Sequence, residues 1–255
     1  MINVINNLAE FLAYRKQYSY SKQSIGFVPT MGALHAGHRS LLKRCRQEND
    51  IAILSIFVNP HQFNNPNDLN AYPQNTAADL LIATDEKIDC VLLPKADDIY
   101  FDHYRYQIRE QAFSLLLEGQ HRVGHFEGVM TVVMKLLHLV QPQNIYFGEK
   151  DYQQYQLIKE MAAAFFLDTN VIACPTVREK DGLAMSSRNQ LLTQEQRKLA
   201  SAFPAILLNT ALTIEEAKNQ LHEKGLKVDY IEDYQGRRFG AVYCENIRLI
   251  DNITL

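Results

Sequence analysis

Two histidines, His35 and His38, flank Gly37 directly after "FVPTMGAL", a run that reads as a buried strand. Side chains three apart on a first helical turn share a face. A helix start offers unpaired N–H groups and the positive end of a dipole, both suited to an anion. Two imidazoles beside the backbone that Gly37 leaves bare therefore suit a phosphate. The plainer reading of such a pair is a capping or surface histidine, and two further clusters weigh against it. "YFGEKDYQQ" puts Gly148, Glu149, Lys150 and Asp151 at the end of another apolar run, where Lys150 can reach phosphate oxygens. "LAMSSRNQ" puts Ser186, Ser187 and Arg188 ahead of a helical stretch, hydroxyls and a guanidinium that bind oxyanions. Read singly, a charge run is a solvated face and paired serines are a cap; three such clusters in one chain point to a nucleotide. Neither G-x-x-x-x-G-K-[ST] nor G-x-G-x-x-G occurs, so the nucleotide would bind without the two common glycine loops.

Such clusters act together only on a scaffold that aligns them. Apolar runs of strand length ("SIGFVPT", "IAILSIFVN", "DCVLLP", "NIYFGE", "NVIACPTV") alternate with stretches of helical spacing. That alternation predicts an α/β fold, a doubly wound parallel sheet with helices on both faces. Ligands of such sheets bind at the carboxyl ends of the strands, where "HAGH" and "GEKD" both stand. Residues 1–176 read as this domain, and 177–255 as a smaller C-terminal α+β domain. Within the latter, "SSRNQLLTQEQRKLASAF" and "TIEEAKNQLHEKG" read as helices, the second stopped by Gly225. Short antiparallel strands joined at "QGRR" and "EN" follow. Residues 59–75, "NPHQFNNPNDLNAYPQN", read as a long polar loop of the functional kind. "VMTVVMKLLHLV" reads as a core helix, with Met130 and Val133 as candidates for a pocket's apolar wall.

Bulk properties narrow the class. A chain of 255 residues, 47% hydrophobic, can bury a sizeable core. A net charge of −3 gives no general pull towards nucleic acid or an anionic membrane. Cys45, Cys90, Cys174 and Cys244 are widely spaced and read as buried free thiols. The first residues lack an apolar signal region, and no apolar run reaches the roughly 18 residues of a membrane span, so the expected compartment is the cytoplasm. His121 and His125 are four apart, but without H-E-x-x-H or a third ligand they are not read as a zinc site.

"HAGH" with the later "MSSR" resembles the HxGH and KMSKS-like signatures of the nucleotidyltransferase superfamily, which transfers AMP from ATP. "PTMGALHAGH", "FVNPHQF", "DLNAYP", "GHFEGV", "FGEKDYQQ", "DGLAMSSRN" and "RLIDNI", in that order, resemble one family of it, the pantoate–β-alanine ligases (pantothenate synthetases). The resemblance implies a Rossmann-like catalytic domain, an ATP-dependent condensation of pantoate with β-alanine through a pantoyl adenylate, and a C-terminal domain acting as lid. It implies ATP as substrate, Mg2+ with it, and a homodimer. A carboxylate with a pKa of about 4 is already ionised at neutral pH, so adenylation calls for alignment and charge neutralisation rather than a base. His38 matches the family's catalytic histidine, with His35, Lys150, Ser186, Ser187 and Arg188 as the other phosphate-handling groups. Met31, Gly32, Ala33, Leu34, His35, Ala36, Gly37 and His38 match the ATP-binding stretch, as do Gly148–Asp151, Val177 and Met185–Arg188. Gln62 and Gln154 match the glutamines that hold pantoate, Gln62 being shared with β-alanine, and Asn59 stands beside them.

Two departures accompany the match. Val123 stands where the family has Pro in "RVGHF", leaving Arg122 and His125 as candidate carboxylate contacts. The stretch between "VDYIEDY" and "RLIDNI" reads as shorter than in relatives, which implies a trimmed lid. No protein ligand of Mg2+ follows from the motifs, and nothing in the sequence singles out Asp68 or Asp79 for that role. The rival readings are another HxGH-type adenylyltransferase acting on a different acid or phosphate, and a non-catalytic ATP-binding regulator.

Overall fold

The protein is described by a computed structural model covering residues 2–19 and 22–255. Nine strands form two sheets among these residues: β1 (Asn3–Ile5), β2 (Ile25–Thr30), β3 (Ile51–Ile56), β4 (Cys90–Leu92), β5 (Asn144–Gly148) and β6 (Asn170–Cys174), then β7 (Lys227–Tyr234), β8 (Arg237–Cys244) and β9 (Ile247–Thr254). The helices are α1 (Leu8–Ser19), α2 (Ala36–Glu48), α3 (Pro66–Asn70), α4 (Thr76–Asp85), α5 (Ala96–Ile99), α6 (Glu118–His121), α7 (His125–Val140), α8 (Tyr152–Ala164), α9 (Gln194–Ala200), α10 (Ala202–Leu207) and α11 (Ile214–Glu223). Two compact units result. The larger contains residues 1–34, 38–149 and 153–174; the smaller contains 35–37, 150–152 and 175–255.

In the larger unit the sheet is parallel throughout, in the order β1-β4-β3-β2-β5-β6. Its inner strands β2, β3, β4 and β5 are nearly continuous apolar runs because both faces are covered. Phe27, Ile53, Ile145 and Phe147 face one core, while Val28, Leu54, Val91 and Tyr146 face the other. Each such side chain contributes roughly 1.5–3 kcal/mol when fully buried. The order reverses at β2, whose neighbours β3 and β5 lead the chain in opposite directions. The carboxyl ends of β2 and β5 are adjacent, and they lead into "MGALHAGH" and "GEKD".

Several elements differ from the sequence-based expectation. β1 goes unread as a strand, being only three residues beside a longer helical pattern. Residues 59–75 are not an open loop. They hold a 3-10 helix (Pro60–Gln62), α3 and the entry to α4, each begun by an asparagine (Asn59, Asn65, Asn75) whose side chain accepts a backbone N–H of the following turn. Met130 and Val133 are buried in the core on α7.

The smaller unit carries the antiparallel sheet β7-β8-β9 and its own core of Leu183, Phe203, Leu207, Leu221, Ile231 and Val242. The stretch read as one helix from Ser186 is broken. A 3-10 helix (Ser187–Leu191) ends at Leu192, and Thr193 caps a fresh start at α9 by exchanging hydrogen bonds with Gln196. All four cysteines are free and buried. Burial pushes the thiols of Cys45 and Cys90 up to about 12 and also raises those of Cys174 and Cys244.

Candidate active site

In the larger unit the chain leaves β2 through Thr30, whose hydroxyl donates to Ser55 O at 2.8 Å and accepts from Gly32 N at 3.2 Å. Gly32 and Ala33 then take left-handed backbone angles, with φ of 80° and 50°. Asp79, 2% exposed in the first turn of α4, holds this bend: its carboxylate accepts Ala33 N at 3.0 Å and Leu34 N at 2.7 Å. Both oxygens are thus committed to backbone. Asp79 shapes the bend at Ala33 and Leu34 and is not placed as a metal ligand. Half-buried His38 stands in the first turn of α2.

Gln62 ends the 3-10 turn after β3. Its amide oxygen accepts from Asn59 Nδ2 at 3.1 Å, and its Nε2 lies 3.0 Å from Met31 Sδ. Asn59 also donates to Gly128 O at 3.1 Å, tying the turn to α7. Only glycine fits there, since a Cβ on residue 128 would lie 2.2 Å from His61 O. His125 supports the same turn: its Nδ1–H donates to Gln62 O at 2.8 Å, and Arg122 Nη1 donates to its Nε2 at 3.1 Å. His125 and Arg122 therefore support Gln62, a role their motif did not announce. Gln154 stands half-buried near the start of α8. Its neighbour Gln153 is spent on structure, bonding Phe113 O, Leu116 O and Glu118 N.

The smaller unit gathers a second set. His35 Nδ1 accepts Gly37 N–H at 3.2 Å, so the ring proton sits on Nε2. Burial, reinforced by Lys150, lowers its pKa to about 4, and the ring is neutral at physiological pH. The bare face of Gly37 receives protein rather than open space: a Cβ there would come within 2.9 Å of the His35 ring and 3.3 Å of Met185 Cβ. Lys150 is ion-paired with Asp151 at 3.4 Å, and Asn252 Nδ2 donates to its carbonyl at 2.8 Å. The Arg237 guanidinium lies 3.8 Å over the next ring, Tyr152.

Residues 177–185 form a tight hairpin in which Met185 N donates to Val177 O at 2.9 Å and Glu179 N to Leu183 O at 2.8 Å. Arg178 secures it through a bidentate pair with buried Asp251, at 2.6 and 3.0 Å. Arg197 clasps Glu179 and Asp181. Beyond the hairpin, Ser186 caps the 3-10 helix by accepting Arg188 N at 3.3 Å. Lys150, Ser186 and Arg188 line one small cleft together with Arg248. Ser187 is buried and does not line it. Sequence reasoning passed over Arg248, although it opens "RLIDNI"; Asp229 orients it through bonds of 3.0 and 2.8 Å. Three cationic side chains and a hydroxyl thus meet in the cleft, beside the Asp251 carboxylate that Arg178 pairs, a set of donors suited to an oxyanion.

The sequence profile of the family described as Pantoate-beta-alanine ligase matches residues 3–254. Pantothenate synthetase of Bdellovibrio bacteriovorus is 48% identical over 255 residues, covering 100% of both chains. That of Coxiella burnetii is 51% identical over 253 residues, covering 99% of this chain and 97% of the relative. The fold superposes on the crystal structure of pantoate-beta-alanine ligase from Francisella tularensis complexed with beta-gamma ATP and beta-alanine, with a TM-score of 0.96, 43% identity and coverage of 100% and 98%. It also matches pantothenate synthetase from Thermus thermophilus, with a TM-score of 0.89, 34% identity and 99% coverage of each. These end-to-end matches correct one expectation: the C-terminal unit is not trimmed relative to these relatives. From residue 3 to residue 254, the chain belongs to the pantoate–β-alanine ligase family.

Proposed function

We infer that the enzyme joins (R)-pantoate to β-alanine at the expense of ATP, giving pantothenate, AMP and pyrophosphate. The observation that carries this reading is the end-to-end family match, which spans both units and every motif described above. A pantoate carboxylate oxygen attacks the α-phosphorus of ATP, and pyrophosphate leaves. The β-alanine amine then attacks the acyl carbon of the pantoyl adenylate, AMP leaves, and one proton is released.

The residues divide by task. Neutral His35 offers Nε2–H to a phosphate oxygen without adding charge, and Lys150 and Arg188 bring the positive charge that pyrophosphate departure calls for. His38 completes the donor set at the start of α2, and Ser186 adds a hydroxyl. Ser187, buried in the same turn, is the second hydroxyl of this set. Gln62 and Gln154 hold pantoate, with Asn59 acting through Gln62. The first 176 residues form the catalytic domain, and 177–255 form a lid that supplies Ser186, Arg188 and Arg248 to the cationic cleft.

Mg2+ enters as the companion of ATP. Among the described residues no three His, Cys, Asp or Glu side chains gather as a metal cage, and Asp79 is committed to backbone. Bound with ATP, the ion would supply charge neutralisation on the phosphates. The protein works as a homodimer in the cytoplasm; among the described residues no helix is long and apolar enough to cross a membrane.

The test is release of AMP and pyrophosphate from MgATP with pantoate present and β-alanine added or withheld. Sustained release of both only with β-alanine supports the ligase reading. A single burst of pyrophosphate without turnover on β-alanine would retain adenylation and reject the acceptor. Release that ignores pantoate would reject the function.

A further inference from the structure

Asn59 is 1% exposed, and each arm of its carboxamide meets a partner that allows one assignment. One arm lies 3.1 Å from Gly128 O, a carbonyl that can only accept, so that arm is Nδ2. The other receives the backbone N–H of His61 at 3.3 Å, so it is Oδ1. The same oxygen accepts the Tyr100 hydroxyl at 2.6 Å. The second Nδ2 proton goes to Gln62 at 3.1 Å, which makes the facing arm of Gln62 its oxygen. Nε2 is left on the outer side, towards Met31 Sδ. Gln62 thus presents N–H bonds outward and keeps its acceptor turned in.

The ring that carries the Tyr100 hydroxyl is closely packed. The Tyr100 ring is buried, edge-on to His61 at 4.5 Å and to Tyr104 at 5.4 Å, and Lys135 Nζ stands 5.3 Å from its centroid. Lys135 is fixed in turn by Asp102 at 2.6 Å and Ile99 O at 2.9 Å.

We propose that Tyr100 is a positioning residue of the acid site: through Asn59 it locks the Gln62 carboxamide with its NH2 outward, so that Gln62 meets an accepting substrate oxygen and no substrate N–H or ammonium. This rests on the assignment of Gln62 to pantoate, and the experiment separates the two. Steady-state kinetics with full-length Gln62→Ala, Gln62→Glu and Tyr100→Phe are compared, varying pantoate and MgATP in turn. Gln62→Ala raises the pantoate KM; an unchanged value would reject the site and the proposal with it. Tyr100→Phe keeps the ring packing, which thermal unfolding verifies, and removes one donor. It raises the pantoate KM about five- to tenfold, the loss expected of one modest hydrogen bond, with smaller changes in kcat and in the MgATP KM. Gln62→Glu turns an oxygen outward where the NH2 stood, and raises the pantoate KM at least as far as Gln62→Ala. Gln62→Glu with a near-native KM, or Tyr100→Phe with an unchanged pantoate KM, would overturn the positioning role while leaving Gln62 in the site.

Discussion

His35 carries its proton on Nε2 and no charge, because Gly37 N–H occupies Nδ1 and burial beside Lys150 disfavours a cation. The unfolded chain takes up this proton near the ordinary histidine value of about 6.5, and the folded chain only near 4. Between those values the unfolded state binds more protons, so this group lowers stability as pH falls from about 6.5 towards 4. In an NMR titration the His35 ring is expected to keep the neutral shift from pH 8 to 5; a midpoint near 6.5 would refute the buried, neutral assignment. Urea unfolding at pH 7 and pH 5 should accordingly show a smaller acid loss in His35→Gln than in the parent. Side chains of this sort are legible in sequence, since type and spacing alone single out His35, Lys150 and Arg188. Their supports are not. Asp79 holds Leu34 from 45 positions away, and Tyr100 reaches Asn59 across 41, so no local pattern joins them.

At the level of elements, the alternation of strand and helix is readable because a strand buried on both faces is a continuous apolar run. The short elements are hidden: β1 and the turn at Pro60–Gln62 span three residues each, below any period that could be recognised. The latter turn depends on contact rather than propensity, pressed onto α7 at Gly128. Gly128→Ala would set a methyl 2.2 Å from His61 O. It is expected to cost about 1–3 kcal/mol in urea unfolding, as overpacking does, and to raise the pantoate KM by shifting Asn59 and Gln62. A variant as stable as the parent with unaltered kinetics would show that the turn does not depend on this contact. The serine-rich stretch teaches the converse. Helical spacing ran past Thr193, yet that residue starts a new helix, because its capping exchange with Gln196 satisfies N–H groups that a continuous helix would have paired internally.

For the molecule as a whole, the seven motifs carried the family, while composition carried only its class: a net charge of −3 gives no hint of a cationic cleft built from Lys150, Arg188 and Arg248. Nor does composition reveal that the chain condenses around separate cores, one lining each face of the parallel sheet and another drawn wholly from residues 183–249. A smaller unit buries a smaller share of its surface and is the more easily opened. The thiols turn this into a clock. Cys45, Cys90 and Cys174 belong to the larger unit and Cys244 to the smaller; all are buried, and burial keeps each protonated at neutral pH, so an alkylating reagent attacks only when a unit opens. Pulsed with such a reagent in low denaturant, intact chains weighed by mass spectrometry should gain one adduct before they gain four. Simultaneous gain of all four would mean that the two units open as one. The sulfur atoms that take no part in the chemistry thus keep a separate time for each half of the enzyme, with no label introduced.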